Sequence, residues 1–267
     1  MQQATGRVVA SSPFKGAKRN YEAAPVSAQD ADFVRSLVIH EDAAVLAFNK
    51  PAGLPVQTRN PDDKTLDRLL AAFARSNGKR PRLVHRLDAQ TSGVIVAGKT
   101  QPAAAALSQA FATRDVNKTY LAIVSGAAFD GSSGEINAEL TRHIARPGLE
   151  LMRAARPGDQ KPQTALTRWR VLASSSAAHL VELTPETGRM HQLRAHLSIV
   201  GRPILGDPYY GGAASLKGEP VPRLMLHAWK LDLPHPSGER LALKADTPSD
   251  FRLVAAVAGL DLALAGA

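Results

Sequence analysis

Seven short apolar runs constrain this chain more than any other feature of it: Val45 to Phe48, Val94 to Ala97, Tyr120 to Val124, Leu166 to Leu172, Leu180 to Leu183, Met225 to Leu233 and Leu241 to Lys244. Each is rich in Val, Leu or Ile and is bounded by Gly, Pro, Asn or Asp, the pattern of strands in a buried sheet. Helical patterns are fewer. Thr65 caps a stretch in which Leu66, Leu69, Leu70 and Phe73 share one face, and Thr100 caps a second, with Pro102 in its first turn and Leu107 and Phe111 buried. A third helix is predicted from about His191 to Ile199, stopping at Gly201. The apolar C-terminal stretch Leu253 to Ala267 reads as a core-docking or fraying helix. Strands outnumber helices and do not alternate with them, so the pattern predicts an α+β fold rather than a doubly wound parallel sheet.

With 267 residues the chain is one large domain or two small ones. Residues 1–30 read as a flexible basic tail, 31–258 as a single folded domain and 259–267 as a C-terminal tail. Gly131 to Gly134 and the Pro/Gly-rich segment from Arg146 to Pro162 divide the sheet into halves without forming a linker. Lys and Arg number 33 against 24 Asp and Glu, a net charge of +9, which points to a polyanionic partner. Cysteine is absent, excluding disulfides, thiol nucleophiles, zinc fingers and iron–sulfur clusters. No apolar run near the N-terminus has the length of a signal peptide, and none reaches the ~18 residues of a spanning helix, so a cytoplasmic protein with no membrane contact is expected. A metal site is not expected either. The eight His stand without Cys or clustered acids, and His191 and His196, five apart, do not share a helix face.

The densest local feature is His85-Arg86-Leu87-Asp88-Ala89-Gln90-Thr91-Ser92-Gly93, set between Leu83-Val84 and the strand from Val94. In extended chain Arg86 and Asp88 project to one side while Leu87 points into the core. Thr91, Ser92 and Gly93 then turn the backbone, holding Asp88 at the rim of the sheet. Taken alone, the Arg–Asp pair is equally well read as a surface ion pair fixing a turn. Tyr120, taken alone, reads as a strand residue filling the core beside Leu121 and Ile123.

This string resembles the signature of the RluA-type pseudouridine synthases, and further motifs of that family follow in order between about Val38 and Ala245. Lys50-Pro51-Ala52-Gly53-Leu54-Pro55-Val56 resembles its first motif, Lys118-Thr119-Tyr120 its basic-x-Tyr element, and Thr187-Gly188-Arg189-Met190-His191-Gln192-Leu193-Arg194-Ala195-His196 its third. Gly201-Arg202-Pro203-Ile204-Leu205-Gly206-Asp207 and Arg223-Leu224-Met225-Leu226-His227-Ala228 look like its C-terminal elements. Departures are small: Met190 stands where Ser or Thr is usual, and Gly98 interrupts a strand end that often runs into Ala-Lys.

The resemblance implies a mixed, mainly antiparallel central sheet with a few flanking helices and an active-site cleft across it. About thirty residues before Phe33 are too few for the small RNA-binding domain some members carry, so the catalytic domain alone is expected. It further implies an enzyme that converts uridine to pseudouridine in ribosomal or transfer RNA, as a monomer and without cofactor. Asp88 is then the nucleophile, and Arg194 the cation that favours its carboxylate form from within ~4–6 Å. Tyr120 stacks on the target base. Leu193 forms the opposite wall of the base pocket, Arg86 is a wedge or phosphate ligand at the flipped-out nucleotide, and Arg189 and Lys118 bind substrate. Lys50, Arg142 and Arg146 are further candidates for the RNA backbone, and His191 is read as a packing residue. Two other classes stay open: a non-catalytic RNA-binding protein on the same scaffold, and a glycosidase-type hydrolase, which would need a second acid at ~5–9.5 Å from Asp88.

Overall fold

The computed structural model describes residues 26–263 apart from 59 and 61. The first 25 residues of the expected tail and the last four of the C-terminal stretch lie outside them. The chain opens with α1 (Ala28–Ser36), β1 (Val38–Glu41), β2 (Val45–Lys50) and α2 (Leu66–Leu69), the last running on as a tighter turn over Leu70–Phe73. Then come β3 (Arg82–Leu83), β4 (Ser92–Gly98), α3 (Gln101–Thr113), β5 (Asn117–Val124), β6 (Ser133–Asn137), β7 (Leu140–Arg146) and β8 (Leu149–Ala154). The C-terminal half comprises β9 (Leu166–Ser174), β10 (His179–Pro185), α4 (Gln192–Ile199), β11 (Ser215–Leu216), β12 (Glu219–Pro220), β13 (Leu226–Pro234), β14 (Arg240–Lys244) and α5 (Ser249–Ala258).

All seven apolar runs are strands of one ten-stranded sheet ordered β1-β2-β4-β13-β5-β10-β9-β6, with β14 on β13 and β3 on β4. Among the described residues only β4 and β13 pair in parallel. The sheet is mixed and mostly antiparallel, as the motifs implied. β4 is buried along its whole length, which is why its sequence is a continuous apolar run rather than an alternation. Val94 and Val96 pack on one face with Leu107 of α3, while Ile95 and Ala97 pack on the other with Leu66, Leu69 and Leu70. The far half of the sheet is covered by Leu193 and Leu197 of α4 and by Phe251, Val254 and Ala258 of α5. Tyr120 packs against both this cluster and the α2 cluster, so it stands where the two halves meet.

The predicted caps form. Thr65 Oγ1 accepts from Arg68 N at 3.3 Å and Thr100 Oγ1 from Ala103 N at 3.1 Å, each satisfying an amide the helix leaves unpaired. Ser27 does the same for α1, a helix not predicted from the sequence. Because α1 begins at Ala28 and Leu260 is buried, packed chain reaches a few residues past the boundaries expected at 31 and 258. The Pro/Gly-rich segment supplies the turn and second strand of a β7–β8 hairpin that pairs outside the main sheet.

One register row fixes the centre of the molecule. Gly93 of β4 faces Ala228 of β13, and Ala228 faces Tyr120 of β5. Gly93 has φ +115°, and a Cβ there would lie 2.1 Å from the Ala228 carbonyl oxygen. Only glycine allows that approach. The loop carrying Asp88 therefore enters the sheet one strand away from Tyr120.

Candidate active site

Asp88 sits on the loop between β3 and β4, and everything around it is tied down. Leu87 is buried while Arg86 is exposed. His85 stacks on Phe111 with ring centroids 4.3 Å apart, and its Nε2 accepts the Val96 amide proton at 3.0 Å. Burial, reinforced by Lys118, pulls this imidazole down to about 3, so it is a neutral acceptor. Thr91 N donates to the Asp88 carbonyl at 3.0 Å, and the Ala89 carbonyl accepts from Gly53 N at 2.8 Å. Lys50 completes the clamp. Its ammonium is fully buried and donates to the carbonyls of Pro51, Leu54 and Ala89 at 2.9, 2.9 and 3.1 Å. Lys50 therefore cannot contact an RNA phosphate; it joins the first motif to the Asp88 loop.

The opposing wall is built by α4. Gln192 is buried with all four of its hydrogen bonds made: Nε2 donates to Leu166 O and Thr167 Oγ1, and Oε1 accepts from Thr187 Oγ1 and Arg189 N. These bonds lock the start of the helix to β9. His196 lies wholly inside, between Thr167 Oγ1 and the Ala138 carbonyl. Arg194 is buried and grips Asp207 bidentately, Nε to Oδ2 at 2.7 Å and Nη2 to Oδ1 at 2.8 Å. Asp207 Oδ1 also accepts from the amides of Tyr209 and Tyr210 at 2.9 and 3.1 Å. Burial works against the Arg194 charge, but the hydrogen bonds and charge of Asp207, joined by Asp88, raise its pKa above the ordinary guanidinium value.

The third Arg194 nitrogen, Nη1, faces Asp88 Oδ2 at 3.5 Å, and His191 Nε2 faces the same oxygen at 3.7 Å. Asp88 Oδ1 has no hydrogen-bond partner among the described residues, and the side chain is 26% exposed. The carboxylate is thus held from behind through one oxygen and open through the other. Asp207 is not among the site residues expected from the sequence. Its motif is visible, but that a carboxylate thirteen residues along closes on Arg194 is a property of the turn after α4.

Tyr120 is partly buried, and its hydroxyl makes no hydrogen bond among the described residues. Burial, aided by the Asp88 charge, pushes its phenol above the ordinary range, so it carries its proton at any working pH. Leu193 is buried in the cluster against which Tyr120 packs. Arg86 enters no ion pair among the described residues, yet its charge is felt at His191. Lys118 is drawn below its usual range by burial and by Arg114, against the pull of Glu186. Arg189 turns away, donating to the Thr164 carbonyl at 3.0 Å. Arg142 lies on β7, paired with Glu150 at 3.1 Å. The structure thus gathers Asp88, Arg194 and Tyr120 with Leu193 and Arg86 at the margin, and leaves Arg189 and Arg142 engaged elsewhere. Among the described residues no group of His, Asp and Glu is placed to hold a metal, and no helix is long and apolar enough to cross a membrane.

The sequence profile of the family described as RNA pseudouridylate synthase matches residues 44–199, from β2 to the end of α4. The chain belongs to this family. Like other RluA-type RNA pseudouridine synthases it is an isomerase acting on RNA. It is 36% identical over 233 residues to the ribosomal large subunit pseudouridine synthase D of Zymomonas mobilis, covering 81% of this chain and 71% of that one. It is 35% identical over 224 residues to the tRNA pseudouridine synthase C of Pectobacterium carotovorum, covering 78% of this chain and 58% of that one. The solved human RNA pseudouridylate synthase domain containing 4 superimposes on this pseudouridine synthase with a TM-score of 0.72 at 29% identity, over 87% of this chain and 98% of that one.

Proposed function

We propose that this synthase isomerises uridine in structured ribosomal or transfer RNA, with Asp88 as the nucleophile acting on an everted base. The reading rests on one observation: the Asp88 carboxylate faces cationic Arg194 through Oδ2 and presents an Oδ1 that has no partner among the described residues. The reaction breaks the bond from ribose C1′ to uracil N1 and forms one from C1′ to C5. The proton lost from C5 is balanced by one gained at N1, so no cofactor is consumed. Arg194, anchored on Asp207, keeps a positive charge beside the carboxylate throughout.

Tyr120 supplies the ring on which the turned-out uracil stacks, worth ~1–3 kcal/mol, with Leu193 on the opposite side. Its protonated hydroxyl is a donor and not a phenolate. Uridines in folded RNA are stacked or paired, so eversion costs a few kcal/mol, which phosphate and wedge contacts from Arg86 and Lys118 offset. Relatives named for large-subunit ribosomal RNA and for transfer RNA both match this chain, which supports either substrate class. The test is to map pseudouridines in total RNA from cells with and without the protein, complemented by wild type or Asp88→Asn. Specific uridines should lose modification in the deletion and regain it only with wild type, while purified Asp88→Asn still binds the RNA. Restoration of the sites by Asp88→Asn would refute the assignment.

A further inference from the structure

Among the groups the proposed chemistry does not use, His191 lies nearest to it. Its Nε2 is 3.7 Å from Asp88 Oδ2, the ring is only 16% exposed, and its Nδ1 is 3.1 Å from the hydroxyl of Tyr210. That hydroxyl already accepts the Met152 amide proton at 2.9 Å. A phenol has one proton to give. Nε2 faces a carboxylate oxygen, which can only accept, and Nδ1 faces a hydroxyl with a proton to give, so the neutral ring that satisfies both carries its proton on Nε2, toward Asp88. The ring is turned there by its backbone: His191 has φ +50°, a left-handed conformation uncommon for a side-chain-bearing residue, immediately before α4.

We propose that His191 is a positioning residue for the catalytic carboxylate. Its Nε2–H tautomer is favoured by the Tyr210 hydroxyl at Nδ1, and it closes onto Asp88 Oδ2 beside Arg194 in the substrate complex, leaving Oδ1 as the reacting oxygen. Hydrogen bonds of this kind are often long before substrate binds and tighten afterwards. The charges facing the imidazole are those of Asp88, Asp207, Arg194 and Arg86; burial is the largest influence on it and favours the neutral ring, with Arg194 and Arg86 acting the same way against the two carboxylates. Met152 belongs to β8, so the register of the β7–β8 hairpin reaches Asp88 through two side chains. The inference rests on the reading of Asp88 as the reacting group.

The test is a double-mutant cycle on kcat and KM from initial rates over a range of substrate concentrations, using ribosomal and transfer RNA extracted from cells lacking the protein, with product counted as pseudouridine. His191→Phe removes the donor and should lower kcat about 10- to 100-fold, the loss expected for a hydrogen bond to a charged group, with little change in KM. His191→Gln, which carries an amide N–H, should lose less than His191→Phe. Tyr210→Phe frees the tautomer and should lower kcat about 3- to 10-fold. An amide has no tautomer to set, so in the His191→Gln background Tyr210→Phe should cost little further. An equal Tyr210→Phe loss in both backgrounds, or a His191→Phe enzyme of wild-type kcat, overturns the proposal. Thermal melts of each variant separate these losses from unfolding, and the cycle needs only the two conservative changes. A failed cycle alongside an inactive Asp88→Asn removes only the role of His191; an active Asp88→Asn removes the underlying reading.

Discussion

Lys50 shows how a charge becomes structural. Three ammonium protons meet three carbonyl oxygens, those of Pro51, Leu54 and Ala89, in a fully buried place. Burial, resisted by the Asp88 charge and assisted by Arg223, pulls the amine from 10.5 down to about 7. Between those values the unfolded chain binds more protons at this position than the folded one, so the contribution of Lys50 to stability rises with pH across that window and is flat below it. The unfolding free energy of wild type minus that of Lys50→Met, measured in urea, should therefore grow from pH 7 toward pH 10. A difference that shrinks over that range would contradict a depressed amine. Below that window, where the ammonium is intact, the substitution strands three buried carbonyls and should destabilise by roughly 3 kcal/mol. Sequence places Lys50 in a motif but not in the interior: which cations end up buried depends on the carbonyls that a fold turns inward. The same holds for Asp207. Asp88 is legible because its whole neighbourhood, from His85 to Gly93, is contiguous in the chain.

At the level of elements, the strands most plainly legible from sequence are those that run through the buried middle of the sheet. β4 and β5 announce themselves as apolar runs, whereas β7 and β8 bury few apolar side chains, Leu140, Leu151 and Met152, so their alternation is lost among Pro147, Gly148 and several arginines. The position that aligns the elements is Gly93. A methyl there would overlap the Ala228 carbonyl at 2.1 Å in addition to straining a φ of +115°. Gly93→Ala should therefore force β4 and β13 apart, costing roughly 3 kcal/mol or more. Gly78 offers the control, with φ +73° and no atom within 4 Å of where a methyl would lie, so Gly78→Ala should cost only about 1 kcal/mol from strain. Thermal melts of the two variants decide the matter: equal shifts in Tm would mean that β4 and β13 are not held at the distance the register requires. The loss of Gly93 should also lower catalysis, because the Asp88 loop enters the sheet at Ser92 and Tyr120 is aligned with Gly93 through Ala228.

Over the whole molecule, the net charge of +9 does not translate into a uniform basic surface. Many arginines are spent on acidic neighbours: Arg168 on Glu135 and Glu186, Arg170 on Glu182, Arg153 on Asp159, Arg223 on Asp250. Around the Asp88 loop the balance differs. Arg86, Arg114 and Lys118 enter no ion pair among the described residues, and their fields act on one another's surroundings, Arg114 on Lys118, Lys118 on His85, Arg86 on His191. A phosphate backbone crossing the site would be neutralised there rather than over the paired arginines. If these three each take one phosphate, log K for RNA should fall with log salt at a slope of about −2 to −3, from about −0.7 per contact on single strands and −0.9 on duplex. Replacing Arg86, Arg114 or Lys118 with Ala should each make the slope shallower by nearly one contact. Arg168→Ala, which dissolves pairs with Glu135 and Glu186, should leave the slope unchanged. Filter-binding titrations across a salt series with the same extracted RNA measure the wild-type slope and the four variant slopes, and a slope that moves for Arg168 but not for the three cations would place the RNA on a different face of the sheet.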